Sequence, residues 1–299
     1  MTRLAIVIPA ALGVVLAWSV PPGRSLADDP LKAMPTAEDS TEAKVKRLTE
    51  AELQTIVLPE QGDQVVLSIA YHPPATQQNE SAEQPELWLR VYADGRIDCP
   101  GPMQANTQRC TDDLTSNELL WLLHLTVNEC QGLVRSTDDI QADYEVNGQP
   151  KSAGDSPYGS YHYHVFLTGK ANDFAIPVNA LITRPLRARM KLNAFASLHT
   201  YANYLTARAT LGKPPERTAI LQALNEQLKL EHPEAPPFLM EHLVGSTSIG
   251  KLEVPAMFTQ VVDLGGNKFR EWSGQIIRRE PDAEPTFSIR TKEFSKYRP

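Results

Sequence analysis

The most pointed chemical spacing in the chain is His162 and His164, two imidazoles two residues apart. Alternate residues of a β-strand leave the same face, so both rings could address one ion, an arrangement metal enzymes use. A metal site needs a third ligand. The following residues, Val165-Phe166-Leu167-Thr168, supply none, which leaves Asp173 across a hairpin, His72 or His199 to complete a set. The competing reading is two histidines on the polar face of a half-exposed strand, and on that reading no cofactor or tight metal is expected.

The three cysteines carry the other chemistry. Cys99 and Cys110 bracket a polar loop from Pro100 to Arg109. Bridging them in an oxidising compartment would stabilise the fold by on the order of 3 kcal/mol in the chain-entropy account, so this pair is expected to form a disulfide. Cys130 follows Leu119, Leu122, Leu123 and Thr126 at helical spacing and reads as a buried free thiol. Nothing beside it in sequence would activate a thiolate. With no CxxC and no close Cys/His cluster, a zinc site is not expected.

Gly245-Ser246-Thr247-Ser248-Ile249-Gly250-Lys251 has phosphate-loop spacing. However, Leu252 replaces the hydroxyl that would hold magnesium, and Pro255 interrupts the helix that would meet the anion, so the segment reads as a Ser/Gly loop. GxSxG, HExxH and EF-hand patterns are absent from the sequence. Glu231-His232 and Glu241-His242 are adjacent pairs, which point apart on regular elements rather than pairing. Arg184, Arg187, Arg189 and Lys191 cluster where a long helix should begin. Four cations there oppose the helix dipole, so the simpler reading is a later start capped by Asn193; an anion bound at the cluster is the other.

The elements that must position these residues follow from periodicity. Val65, Leu67, Ile69 and Tyr71 share one strand face, with Ser68 and His72 on the other. Leu87, Leu89 and Val91 alternate again, and Ala93-Asp94-Gly95-Arg96 turns that strand into one through Ile97 and Cys99. Thr115 and Glu118 form a capping box before a helix through Val127, stopped near Gly132; Thr49 and Glu52 have the same spacing. A second hairpin joins Tyr161–Leu167 to Phe174–Val178, then a long helix runs to Gly212 and a third from Pro215 to about Glu231. Strands are expected near residues 257–262, 269–277 and 286–291, with Gly265-Gly266-Asn267 turning the first into the second. The sum is an α+β fold, two antiparallel hairpin-plus-helix units followed by a third helix and a C-terminal β-meander.

Composition sets the address. The 299 residues are 41% hydrophobic and 22% charged, globular averages that exclude a disordered or polytopic membrane protein. Lys and Arg number 29 against 36 Asp and Glu, a formal net charge of −7, so no nucleic-acid partner is expected. Arg3, an uncharged run from Leu4 to Val20, the break Pro21-Pro22-Gly23 and Ser25-Leu26-Ala27 read as an export signal cleaved before Asp28, with an uncleaved anchor as the alternative. Either places the remainder outside the cytoplasm, with no membrane attachment beyond that segment. The organisation read from the sequence is therefore a signal at 1–27, a polar tether with a short helix at 28–60, an α+β core at 61–235 and a C-terminal β segment at 236–299 packed on it.

The order LRVYADGR (Leu89 to Arg96), LTSNELLWLL from Leu114, YHYHVFLTGK from Tyr161 and then a Leu-rich helix resembles that of uncharacterised exported bacterial α+β proteins. Across residues 85–210 it also weakly resembles emfourin-type inhibitors of thermolysin-like metalloproteases, in which two hairpins and two helices make a small inhibitory domain. Where those inhibitors have a short polar stretch, this chain carries Asn147 to Gly159, and no inhibitory residue carries over. The expectation is an exported, non-enzymatic protein with an envelope-structural or protein-contact role. The alternatives are an inhibitor-like binding module and a metal-dependent enzyme using His162 and His164.

Overall fold

The computed structural model describes residues 48–49, 56–74, 86–100, 109–145, 159–178, 181, 186–245, 256–277 and 284–295, which belong to one compact unit, Pro35–Pro299. The export signal, most of the tether including the helix after Thr49, most of Asn147 to Gly159 and the phosphate-loop-like segment beyond Gly245 lie outside these residues.

The fold is α+β with two antiparallel sheets. The strands are β1 (Val65–His72), β2 (Glu86–Tyr92), β3 (Arg96–Pro100), β4 (Arg109–Asp113), β5 (Ser160–Leu167) and β6 (Lys170–Pro177). They form one sheet in the order β4-β3-β2-β1-β5-β6. The second sheet runs β10 (Thr286–Ser295), β9 (Lys268–Ile277), β8 (Ala256–Gly265), β7 (Leu243–Gly245). Helices α1 (Ser116–His124), α2 (Thr137–Glu145), α3 (Leu186–Thr210) and α4 (Pro214–Glu231) complete the core. The two hairpins read from the sequence are neighbours in one sheet, because β1 pairs with β2 on one side and β5 on the other.

Alternation decides which face of the large sheet is buried. Leu67, Ile69, Leu89, Val91, Ile97, Tyr163, Val165 and Ile176 point into the core with Leu122, Leu123, Phe195, Leu198 and Leu205 of the helices. Two register shifts alter the expected pattern. One leaves Val66 as an extra residue in β1, and the other leaves Trp88 extra in β2 between Leu87 and Leu89. A bulge lets consecutive side chains share a face, so Trp88 joins Leu89 in the core, packed on Tyr161.

The capping box at Thr115 is formed: Glu118 N–H donates to Thr115 Oγ1 and Thr115 N–H to Glu118 Oε2. The α-helical stretch it starts ends at His124, short of the expected Val127, and the chain continues as a π-helical turn over Leu125–Glu129, closed by Cys130 N–H donating to Leu125 O. Gly132 N–H donates to Thr126 O, and a Cβ at Gly132 would strike that same oxygen. Cys130 is buried there, and burial pushes its thiol pKa up.

Three further points correct the sequence reading. Helix α3 begins at Leu186, not after Asn193. Leu186-Arg187-Ala188-Arg189-Met190-Lys191-Leu192 are strong helix formers, and their summed propensity outweighs the few tenths of a kcal/mol each cation costs against the dipole. The short strand β4 and helix α2 were not expected at all. Within the segment read as a tether, Ile56 is buried, and Thr168 donates from its N–H to Val57 O and from its hydroxyl to Leu58 O.

Strand β4 is held by buried charge. Asp112 accepts from Arg208 Nε and Arg217 Nη2, each at 2.7 Å, while Arg208 also donates to Glu118. All four side chains are buried. One sheet edge, α1, α3 and α4 are thereby joined around two carboxylates and two guanidinium groups, a balance that avoids an uncompensated buried charge.

Candidate functional site: an imidazole-lined hollow on the outer sheet face

The face of the large sheet opposite the core carries a hollow of about 480 Å³ over β1, β5 and β6. Small residues on its floor, Ser68 and Ala70 from β1 and Ala175 from β6, leave room beside the larger side chains of β5. Pro73 and Pro74 also form part of its lining. So does Gly159, whose φ of +75° suits glycine and where a Cβ would run into the His72 carbonyl oxygen.

Strand pairing brings the chemistry together. His162 stands opposite Ala70, Ser160 opposite His72, and His164 opposite Ser68 on one side and Asp173 on the other. His72 and His162 are therefore diagonal neighbours, and their rings stack with centroids 3.6 Å apart and planes 20° apart. Burial lowers the pKa of both, and for His162 the adjacent His72 adds to the effect, because two cations cannot share that separation cheaply. Ser160 Oγ and His162 Nε2 share a hydrogen bond at 3.0 Å. His164 Nδ1–H donates to Asp173 Oδ1 at 2.7 Å, which leaves Nε2 of an exposed ring turned away from that bond.

Of the candidate third ligands, His72 and Asp173 do converge with His162 and His164, whereas His199 does not. It lies on the core side, buried between Trp88 and Tyr161, with Nδ1 unpartnered and its pKa lowered by burial to about 4. The converging groups are not arranged as ligands of one ion. Nearly parallel rings 3.6 Å apart confine their in-plane nitrogen lone pairs to lines lying in two nearly parallel planes. A metal bound about 2.0–2.1 Å from each nitrogen would require those lines to meet. Among the described residues, no three His, Cys, Asp or Glu side chains are arranged to hold a metal ion.

Nor is a nucleophilic relay assembled. Such a relay needs hydroxyl, imidazole and carboxylate in series. Here the hydroxyl of Ser160 bonds one ring, His162, and the carboxylate of Asp173 bonds another, His164. The hollow instead presents fixed hydrogen-bonding groups to whatever enters it, and a polar row extends it across the sheet. Asp173, His164, Ser68, Arg90 and Asp98 stand opposite one another on β6, β5, β1, β2 and β3, with Arg109 of β4 bonded to Asp98.

Sequence reasoning placed His162, His164 and Ser68 on one side of their strands but missed the stack with His72 and the role of Ser160. The signal was the shared parity of Ser68 and His72. It becomes informative only once β1 is known to pair with β5, and the two are separated in sequence by three strands and two helices. His124, also unremarked, is buried at the start of the π turn. Asn128 Nδ2 donates to its Nδ1 and its Nε2–H to Glu129, with Trp121 stacked on the ring, so its hydrogen-bonding capacity is consumed internally.

The cysteines occupy two places. Cys99 and Cys110 are directly opposed across β3 and β4 and carry thiols in this structure rather than a disulfide; Cys130 stands apart. No helix among the described residues is long and apolar enough to cross a membrane. No protein-family model matches the chain, and neither curated proteins nor solved structures include a significant match to it.

Proposed function

We propose that the protein is an exported, non-enzymatic binding protein whose contact surface is the imidazole-lined hollow and the polar row running from it, and that its partner presents a short extended peptide segment. The observation that carries this reading is the distribution of the hollow's groups. Three imidazoles, a hydroxyl and a carboxylate are gathered and oriented, but as a trio (Ser160, His162, His72) and a separate pair (His164, Asp173) that complete neither a catalytic relay nor a metal site. A volume of about 480 Å³ lies within the usual range of roughly 300–1,000 Å³ for ligand pockets. The row adds charged and hydroxyl side chains on successive strands, a polar surface along which the amides of an extended segment could find hydrogen-bond partners. Export rests on Arg3, the apolar run and Ser25-Leu26-Ala27.

A photo-crosslinking residue at position 173 in the native host tests the contact, with the same residue at Leu230 of α4 as a control on an unrelated exposed surface. The expected result is a discrete adduct from position 173 only, at least tenfold weaker when His72 and His162 are both replaced by Ala. Equal adducts from both positions, or an adduct indifferent to the two replacements, would refute the proposal. Intact mass of the purified protein tests export separately: the chain is expected to begin at Asp28, and a cytoplasmic chain retaining Met1 would contradict it.

A further inference from the structure

We propose that Cys99 and Cys110 form a cross-strand disulfide that locks the register of edge strand β4. The two residues are direct partners in the antiparallel ladder. Such partners have Cα atoms about 4.5 or 5.5 Å apart, both inside the range of about 4.4–6.8 Å that disulfides span. The Cys99 thiol already donates to Cys110 O at 3.7 Å, and a hydrogen bond with the Cys110 side chain, reinforced by burial, holds its pKa well above the usual thiol range. Cys130 is out of reach: it lies beside Tyr163 of β5, three strands from β3.

The consequence of the bond lies two residues further on. β4 is five residues of polar character, Arg-Cys-Thr-Asp-Asp, with one sheet neighbour among the described residues, so its ladder specifies register weakly. Asp112 shares the inward face with Cys110, and a one-residue slip would turn it outward, taking the Asp112 carboxylate from both buried arginines, Arg208, which also bonds Glu118, and Arg217. A covalent tie between positions 99 and 110 forbids that slip.

The oxidant is a low-molecular-weight or protein disulfide. Cys110, the less buried of the pair, loses its proton and attacks one sulfur of the oxidant, expelling the first thiolate. Cys99 then loses its proton and attacks Cys110 Sγ, expelling the second. Two protein thiols are oxidised, the oxidant's S–S bond is reduced, and the two released protons end on the two expelled thiols.

The test uses full-length protein, purified reduced, equilibrated with excess oxidised glutathione and alkylated, with thiols counted in denaturant and peptides mapped without reduction. One thiol per chain, at Cys130, and a linked Cys99–Cys110 peptide pair are expected. Three remaining thiols, a persistent glutathione adduct on Cys110, or any bridge to Cys130 would overturn the assignment. Hydrogen exchange on the oxidised and reduced chains reads the register lock: β4 amides should exchange at least tenfold faster when reduced, with β1 and β5 unchanged. Equal β4 exchange in both would remove the lock.

Discussion

At the scale of single residues, the buried imidazoles make the sharpest expectations. His199 has its pKa lowered to about 4, from 6.5, by burial alone. The unfolded chain takes up a proton near pH 6.5 and the native chain only near 4, so unfolding binds a proton in between and stability falls as pH falls. The loss should approach about 3 kcal/mol by pH 4, measured as a shift in urea midpoint, and His199→Phe should flatten most of that dependence. A variant as pH-dependent as the parent would show that other groups dominate acid unfolding. For the stacked pair, histidine-resolved NMR titration should find His72 and His162 both titrating below 6.5, since burial disfavours either cation. In His72→Ala the His162 value should rise, because the neighbouring ring contributes to holding it down. An unchanged or lower value would contradict the stacked arrangement.

The elements are held by interactions of unequal worth, and β4 shows the contrast. Asp112→Ala would leave the buried Arg208 with Glu118 and strip the buried Arg217, whose other bond is to the Gly212 carbonyl oxygen, of its carboxylate, a loss expected to cost about 3–5 kcal/mol in denaturant unfolding. Lys213 and Asp113, one residue along, form an exposed pair, and Lys213→Ala should cost less than about 1 kcal/mol. Comparable losses for the two variants would mean the Asp112 cluster is solvated. None of this was legible beforehand. β4 reads Arg-Cys-Thr-Asp-Asp, a polar run with neither alternation of apolar residues nor β-branched enrichment, and what makes it a strand is its partner β3 and the arginines of two distant helices. The box at Thr115 and Glu118, by contrast, was readable because both halves of its hydrogen bonding lie within four residues. Leu186–Leu192 misled through charge: the cation cluster drew attention from helix-forming residues that sum to more.

For the whole molecule, local periodicity was enough to read the α+β class, since hairpin turns and amphipathic helices announce themselves within a dozen residues. The order of the large sheet was not, because β1 pairing with β5 brings together segments about ninety residues apart, and the hollow exists only as a product of that pairing. The same reason explains why His162 and His164 were visible as a pair, yet their surroundings could be named only as a set of candidates. On the function proposed above, the hollow receives an extended peptide. Selection of displayed random peptides on the wild-type protein, followed by affinity measurement on a variant with both His72→Ala and His162→Ala, tests it most directly. Enriched peptides whose affinity drops at least tenfold on the variant, while its unfolding midpoint stays near that of the parent, are the predicted result; binders indifferent to the two replacements would contradict it.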